Sequence, residues 1–256
     1  MSAQYDDTSL LSHDPYIDLP EIGPGMTGSI FELGKNRVVK KAKQYQTGHF
    51  RDPEVTEYMS EINQKTLKNE NQVLQRLGSH QGIIPCFHIS QYGIELALAQ
   101  ADLADYLETY PEPGDAFKSK WILRLIEAFS YVHSRKVFVD DITLRNILVL
   151  DGQLKLADFG QSILLPLDAD VASINKNHLT VQIEILHIGW ILYSIASWKL
   201  HIYYFFGREN PNNCWPESFP NADDVLCGKI IRKCWHGEYA SMDHVQDEAH
   251  QLFAGH

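Results

Sequence analysis

No C-x-x-C pair occurs in this sequence. Its four cysteines, Cys86, Cys214, Cys227 and Cys234, fit no zinc-ligand spacing and are too few for a disulfide framework. The twelve histidines contain no H-E-x-x-H: His244 and His250 miss that spacing, and His187 and His201 are isolated. They are expected to be surface or core side chains, not ligands. Basic clusters are equally scarce. Lys and Arg number 22 against 33 Asp and Glu, a net charge of -11, and the densest basic stretch is only Lys40, Lys41 and Lys43. An acidic surface repels phosphate backbones, so no nucleic-acid partner is expected. The opening MSAQYDDTSLLSHDP has neither the basic nor the apolar region of a signal peptide. The richest apolar run, Ile188 to Trp198, is too short for a bilayer and reads as a buried helix. The expectation is a cytoplasmic chain with reduced thiols and no membrane partner.

What is present suits a folded core. Hydrophobic residues make up 44% and charged residues 21% of 256, which excludes wholesale disorder and fits one large domain or two small ones. There is no internal repeat. Residues 1–18 are polar and aperiodic, and read as an N-terminal tail. Ser29–Leu33 and Arg37–Lys40 read as strands joined by a Gly34-Lys-Asn36 turn. Residues 54–77 read as a helix that Gly78 stops, and Ile83-Ile84 and Ile94–Leu98 as further strands. Past residue 100 the pattern turns helical, with Trp121, Leu125, Ala128, Phe129 and Val132 at helical spacing. Val137–Val139 reads as a strand, and Ile147–Leu150, Asp151-Gly152 and Gln153–Leu156 as a hairpin on a D-G turn. Tyr203–Phe206 is an aromatic cluster expected to pack in the core.

Three segments carry chemistry. Gly23, Gly25 and Gly28 form a G-x-G-x-x-G that opens a strand, the context of a loop folded over nucleotide phosphates; on its own the pattern also fits an ordinary glycine-rich turn. Lys40, on the next strand, is a candidate phosphate partner that needs a carboxylate to hold it, and Glu70 is the candidate carboxylate. Lys41 is the alternative lysine, but strand alternation turns only one of the two toward a cleft. The third segment has Asp141, then Asn146, then Asp158-Phe159-Gly160 after the hairpin. It offers one carboxylate to orient a hydroxyl and accept its proton. Asn146 and Asp158 add the hard oxygens that magnesium prefers.

These motifs, in this order, resemble the eukaryotic protein kinase family over about residues 19–240. The resemblance implies an α+β, bilobal protein-kinase-like fold: a small antiparallel β-sheet N-lobe with one main helix, about 19–98, and a larger, mostly helical C-lobe, about 99–256. It also implies ATP and Mg2+ as cofactors, a protein substrate, and transfer of the ATP γ-phosphoryl group to a Ser, Thr or Tyr hydroxyl. Ile30 and Val38 match the apolar residues above the adenine ring and Leu148 the one beneath it; Leu74 matches an apolar spine position. Glu184–Tyr193 resembles the family's central helix, and Ile231–Trp235 the C-W helix of tyrosine-kinase-like members. His80–Ile84 and Gly237–Ser241 resemble small kinase-like proteins of filamentous fungi.

The pattern is broken in places. The usual His-Arg-Asp reads Val139-Asp140-Asp141, so the arginine that pairs with a phosphorylated activation loop is absent. The usual catalytic-loop lysine is Thr143. Arg145 stands where tyrosine kinases carry an arginine; it either supplies charge near the phosphoryl group or pairs with Asp140 or another carboxylate. Glu184 replaces an aspartate, and is expected to keep its backbone hydrogen bonds with shifted geometry. The stretch from Gly160 to Glu184 is short and has no A-P-E; the arginine that pairs with that glutamate is missing too, near Ser241-Met242. These losses favour two alternatives, a nucleotide-binding or scaffolding pseudokinase, or a small-molecule kinase.

Overall fold

The computed structural model describes residues 14–46, 49 and 52–254, so most of the expected tail lies outside the described residues. Two tail residues are held to the sheet that follows. Tyr16 is 5% exposed and donates its hydroxyl to Glu95 at 2.8 Å, while Asp14 meets Lys41 at 2.5 Å.

The sheet begins with β1 (Glu21–Pro24), β2 (Gly28–Gly34) and β3 (Arg37–Ala42). Lys35 and Asn36 take φ of 32° and 65°, the paired positive values of a two-residue hairpin turn. Helix α1 (Pro53–Leu77) starts where Asp52 accepts the Glu54 amide and Pro53 presets φ; it ends where Gly78 donates its N–H to Leu74. β4 (Cys86–Ile89) and β5 (Ile94–Ala97) complete an antiparallel sheet of order β1-β2-β3-β5-β4. Ile83 and Ile84 do not form the expected strand. Both are buried, and Ile83 makes only an isolated bridge to Leu156. Pro85 follows them and has no N–H with which to extend a ladder.

Beyond the sheet come β6 (Ala101–Asp102), α2 (Leu103–Thr109), α3 (Asp115–Ser134), β7 (Val137–Phe138), β8 (Ile147–Leu150), β9 (Gln153–Leu156) and β10 (Ile163–Leu164). The β8–β9 hairpin turns at Asp151 and Gly152, with φ of 51° and 70°, as the D-G pair predicts. β11 (Asn175–Lys176) and β12 (Leu179–Thr180) form a small hairpin that sequence reading missed, turned by Asn177 and His178 at positive φ. Then α4 (Val181–Ser197), α5 (Gly228–Trp235) and α6 (Met242–Phe253) close the chain.

α4 is the axis of the larger lobe. Ile185, Leu186, Ile188, Leu192 and Ile195 are each 0% exposed. Each such side chain contributes roughly 2 kcal/mol by leaving water. The buried helix read at Ile188–Trp198 is thus the second half of a longer one. His187 is also buried there; it accepts the Phe205 amide at 2.9 Å, and burial pushes its pKa down to about 4. It is a core histidine, as expected, and it seats Phe205 in the core with it. Among the described residues no helix is long and apolar enough to cross a membrane. The architecture is α+β: an antiparallel sheet with α1 at the front, and a mostly helical second lobe.

Candidate active site

Strand alternation separates the two lysines of β3. Lys41 takes Asp14 on one face, whereas Lys40, 7% exposed, turns inward. Its Nζ lies 2.7 Å from Glu70 Oε2 and 2.8 Å from Asp158 Oδ1. Burial alone pulls the Lys40 pKa down, but the two carboxylates outweigh it and leave it raised. Glu70 is fully buried on α1, and burial pushes its carboxyl pKa up against the pull of Lys40.

The loop between β1 and β2 turns tightly. Gly25 donates its N–H to Gly28 at 2.8 Å, and a Cβ on Gly25 would stand 2.6 Å from that same oxygen, so the turn admits only glycine. Met26 at its tip is 90% exposed. Beneath this loop lies a cleft of about 260 Å³. Its walls bring together Gly25, Gly28, Ile30, Lys40, Glu70, Asp141, Arg145, Asn146, Leu148 and Asp158. Two predicted binding residues are not on the wall: Gly23 lies further back along β1, and Val38 packs into the core. Sequence reading missed Leu96, Thr66, Ala157 and Gln161, which also line the cleft. Leu96 was legible, because it shares a strand face with Ile94 and pairs with Val38. Thr66, one helical turn before Glu70, was legible only once α1 had a partner.

Across the cleft, Asn146 donates to the Asp141 carbonyl at 3.0 Å and to its Oδ2 at 2.9 Å, which leaves the Asn146 carbonyl oxygen for a ligand. Burial raises the Asp141 pKa; the Asn146 bond works against this and the Asp158 charge adds to it. Asp140 and Asp158 hold positive φ, 62° and 54°, a conformation that aspartate tolerates at a cost on the order of 1 kcal/mol. Burial, with Glu184 and Asp141 nearby, pushes the Asp140 carboxyl up to about 6.

Glu184, 0% exposed, fastens the loop from behind. Its Oε1 accepts the Val139 amide at 2.5 Å and the Asp140 amide at 3.1 Å, and its Oε2 meets His133 Nε2 at 2.7 Å. The longer acid therefore keeps the backbone bonds expected of it. Val139 and Phe159 are both buried in the core. Arg145 does not pair with Asp140. Its guanidinium lies 3.2 Å from Asp102 and 3.4 Å from Asp105, and its side chain is 67% exposed at the cleft mouth. Among the described residues no group of three or more His, Cys, Asp or Glu is arranged to hold a metal by itself.

The site as a whole sets a buried cation between two carboxylates, with a carboxylate–amide pair opposite, under a glycine turn. Comparison with known proteins gives it a context. The protein kinase domain family model matches residues 16–185. The human serine/threonine-protein kinase Nek11 is 30% identical over 76 residues, 28% of this chain and 12% of that protein. The Aurora kinase of Schizosaccharomyces pombe is 35% identical over 68 residues, 26% of this chain and 19% of its own. Cyclin-dependent kinase 14 of Callithrix jacchus is 28% identical over 153 residues, 57% of this chain and 34% of its own. The chain thus spans between 12% and 34% of the length of these relatives.

Proposed function

The chain belongs to the protein kinase family, and from that premise we propose that it is an ATP- and Mg2+-dependent protein kinase that transfers the γ-phosphoryl group to a Ser, Thr or Tyr hydroxyl. One observation carries the reading: Lys40 is held between Glu70 and Asp158, on the same cleft as Asp141 and Asn146.

The residues fit the cofactors. Ile30, Leu96 and Leu148 offer apolar walls for a base, and Val38 backs them from the core. Lys40 neutralises phosphate charge, with Glu70 keeping its side chain in place. Glu70, Asp141 and Asp158 outnumber Lys40, the buried cation among the described residues of this cleft, a surplus of negative charge that suits a divalent ion. Asn146 and Asp158 would hold that ion through oxygens, leaving positions for phosphate and water. When bound, Mg2+-ATP supplies the phosphoryl group and screens its charge. Asp141 orients the acceptor hydroxyl and takes its proton, a role that its raised pKa assists. Arg145 supplies positive charge at the cleft mouth, where Thr143 cannot. That arginine supports a relation to tyrosine-kinase-like members, and the fungal resemblance belongs to the same proposal. So do the lobe limits of about 19–98 and 99–256, and a cytoplasmic location.

Asp140 in place of arginine favours a second reading, a scaffold that binds nucleotide without turning it over. ATP turnover with Mg2+ by the purified protein, against Asp141→Ala, separates the two. The kinase reading expects turnover that the variant loses by roughly 10²- to 10⁴-fold, the scale of a general base. Binding without turnover makes the protein a scaffold, and turnover confined to small acceptors makes it a small-molecule kinase.

A further inference from the structure

Helix α1 does more than deliver Glu70. Thr66, Asn69, Val73 and Arg76 recur at spacings of three and four, so they form one stripe along the helix. That stripe faces the segment following Asp158. Gly160 is pressed against Thr66: a Cβ on this glycine would stand 2.6 Å from the threonine methyl. Asn69 spends both hydrogens of its amide here, donating to the Gly160 carbonyl at 2.9 Å and to the Ser162 carbonyl at 2.7 Å. Two turns on, Arg76 donates to the Leu165 carbonyl at 2.6 Å. The far side of the segment is fixed as well. Leu165 donates its N–H to Lys136 at 2.9 Å, and Arg135 closes the joint by donating to the Arg76 carbonyl at 2.7 Å.

These contacts bear on the site through geometry. The segment held by Asn69 starts two residues after Asp158, and Asn69 itself adjoins Glu70. Both carboxylates meet Lys40 only while helix and segment lie together. None of the bonds needs a phosphate: the donors are an amide and a guanidinium, and the acceptors are backbone carbonyls. The one position where the family carries a phosphate-reading arginine in this loop is the carboxylate Asp140.

We propose that Asn69 is a positioning residue, which with Arg76 latches residues 160–165 onto α1 so that Glu70 and Asp158 both engage Lys40 without phosphorylation. The proposal rests on the kinase reading for its effect on turnover, while the latch itself is a statement about local stability.

The test compares wild type with Asn69→Leu, similar in size but without donors, and with Asn69→Gln, which keeps the amide on a longer stem. Hydrogen exchange is followed at the Ser162 and Leu165 amides, and ATP turnover and the Mg-ATP thermal shift are measured alongside. Two lost hydrogen bonds predict exchange roughly tenfold or more faster in the leucine variant. Turnover should fall about as far, the thermal shift should persist, and glutamine should recover part of both effects. Unchanged exchange overturns the latch; faster exchange with unchanged turnover overturns the positioning role. If the wild type turns over no ATP, the kinase reading has failed, and exchange alone decides the latch. If the leucine variant does not fold, Arg76→Met severs the second grip and is read by the same criteria.

Discussion

Lys40 Nζ stands 2.7 Å from Glu70 Oε2, and the two side chains are 9% and 1% exposed. Removing one partner of such a pair leaves the other charge buried alone, at a cost of about 3–5 kcal/mol. Lys40→Met should therefore lower stability by about that much at pH 8. Without its partner Glu70 escapes the penalty by taking up a proton, so the loss should shrink toward pH 5. Denaturant melts of both proteins at the two pH values check this. An equal loss at both would mean that Glu70 finds another partner.

Nucleotide binding gives a second expectation. A ligand that binds only the native state stabilises it, so millimolar Mg-ATP should raise the melting temperature of the wild type. Asp158→Ala should retain a smaller shift, because it removes a half-exposed cleft carboxylate that both pairs with Lys40 and is assigned to the metal. Thermal scans with and without Mg-ATP measure both; no shift in the wild type sinks the nucleotide site.

Arg145 separates two roles cleanly. Its bonds to Asp102 and Asp105 lie at the surface, so Arg145→Ala should cost no more than about 1 kcal/mol of stability. If its charge reaches the transferred group, turnover should drop roughly 10²-fold with nucleotide binding kept. Adding Thr143→Lys should then recover part of the rate. Wild-type turnover in Arg145→Ala would make the arginine a partner of α2 and nothing more.

Asp140 predicts a pH dependence of stability. Its folded pKa, about 6, lies above the usual aspartate value, so the fold favours the protonated form. That contribution is full below about pH 4 and is lost as pH rises through about 6. The carboxyl is only partly buried, so about 1 kcal/mol is at stake after solvent screening. Asp140→Asn, which also tolerates the positive φ, should match wild type at pH 4 and be more stable at pH 8. Melting curves across that range that run in parallel would remove Asp140 as their source.

Phosphorylation should not be the switch. Of the hydroxyls between Gly160 and Glu184, Ser162 is buried and bonds the Val139 carbonyl at 3.2 Å, and Thr180 caps α4. Ser173 is exposed. Phosphatase treatment and Ser173→Ala should both leave turnover unchanged; a large loss after either would point to another phosphate-reading cation.

The sequence by itself determined whatever depends on neighbours along the chain. The hairpin turns at Gly34–Asn36 and Asp151-Gly152, the ends of α1 and the opposite faces of Lys40 and Lys41 follow from local rules of φ, capping and alternation. The order of the glycine loop, Lys40, Glu70, Asp141, Asn146 and Asp158 was also legible. Only the tertiary structure decided the rest, because those outcomes are settled between distant segments competing for the same partner. Asp102 and Asp105 take Arg145 from Asp140 because α2 begins beside the cleft mouth. Val38 and Leu96 pair across neighbouring strands and share the core, and Leu96 is the one that lines the cleft. Asn69 reads as one more polar residue of a mostly polar helix. It becomes a latch only where the fold lays two carbonyls, from 91 and 93 residues further along, within reach of its amide.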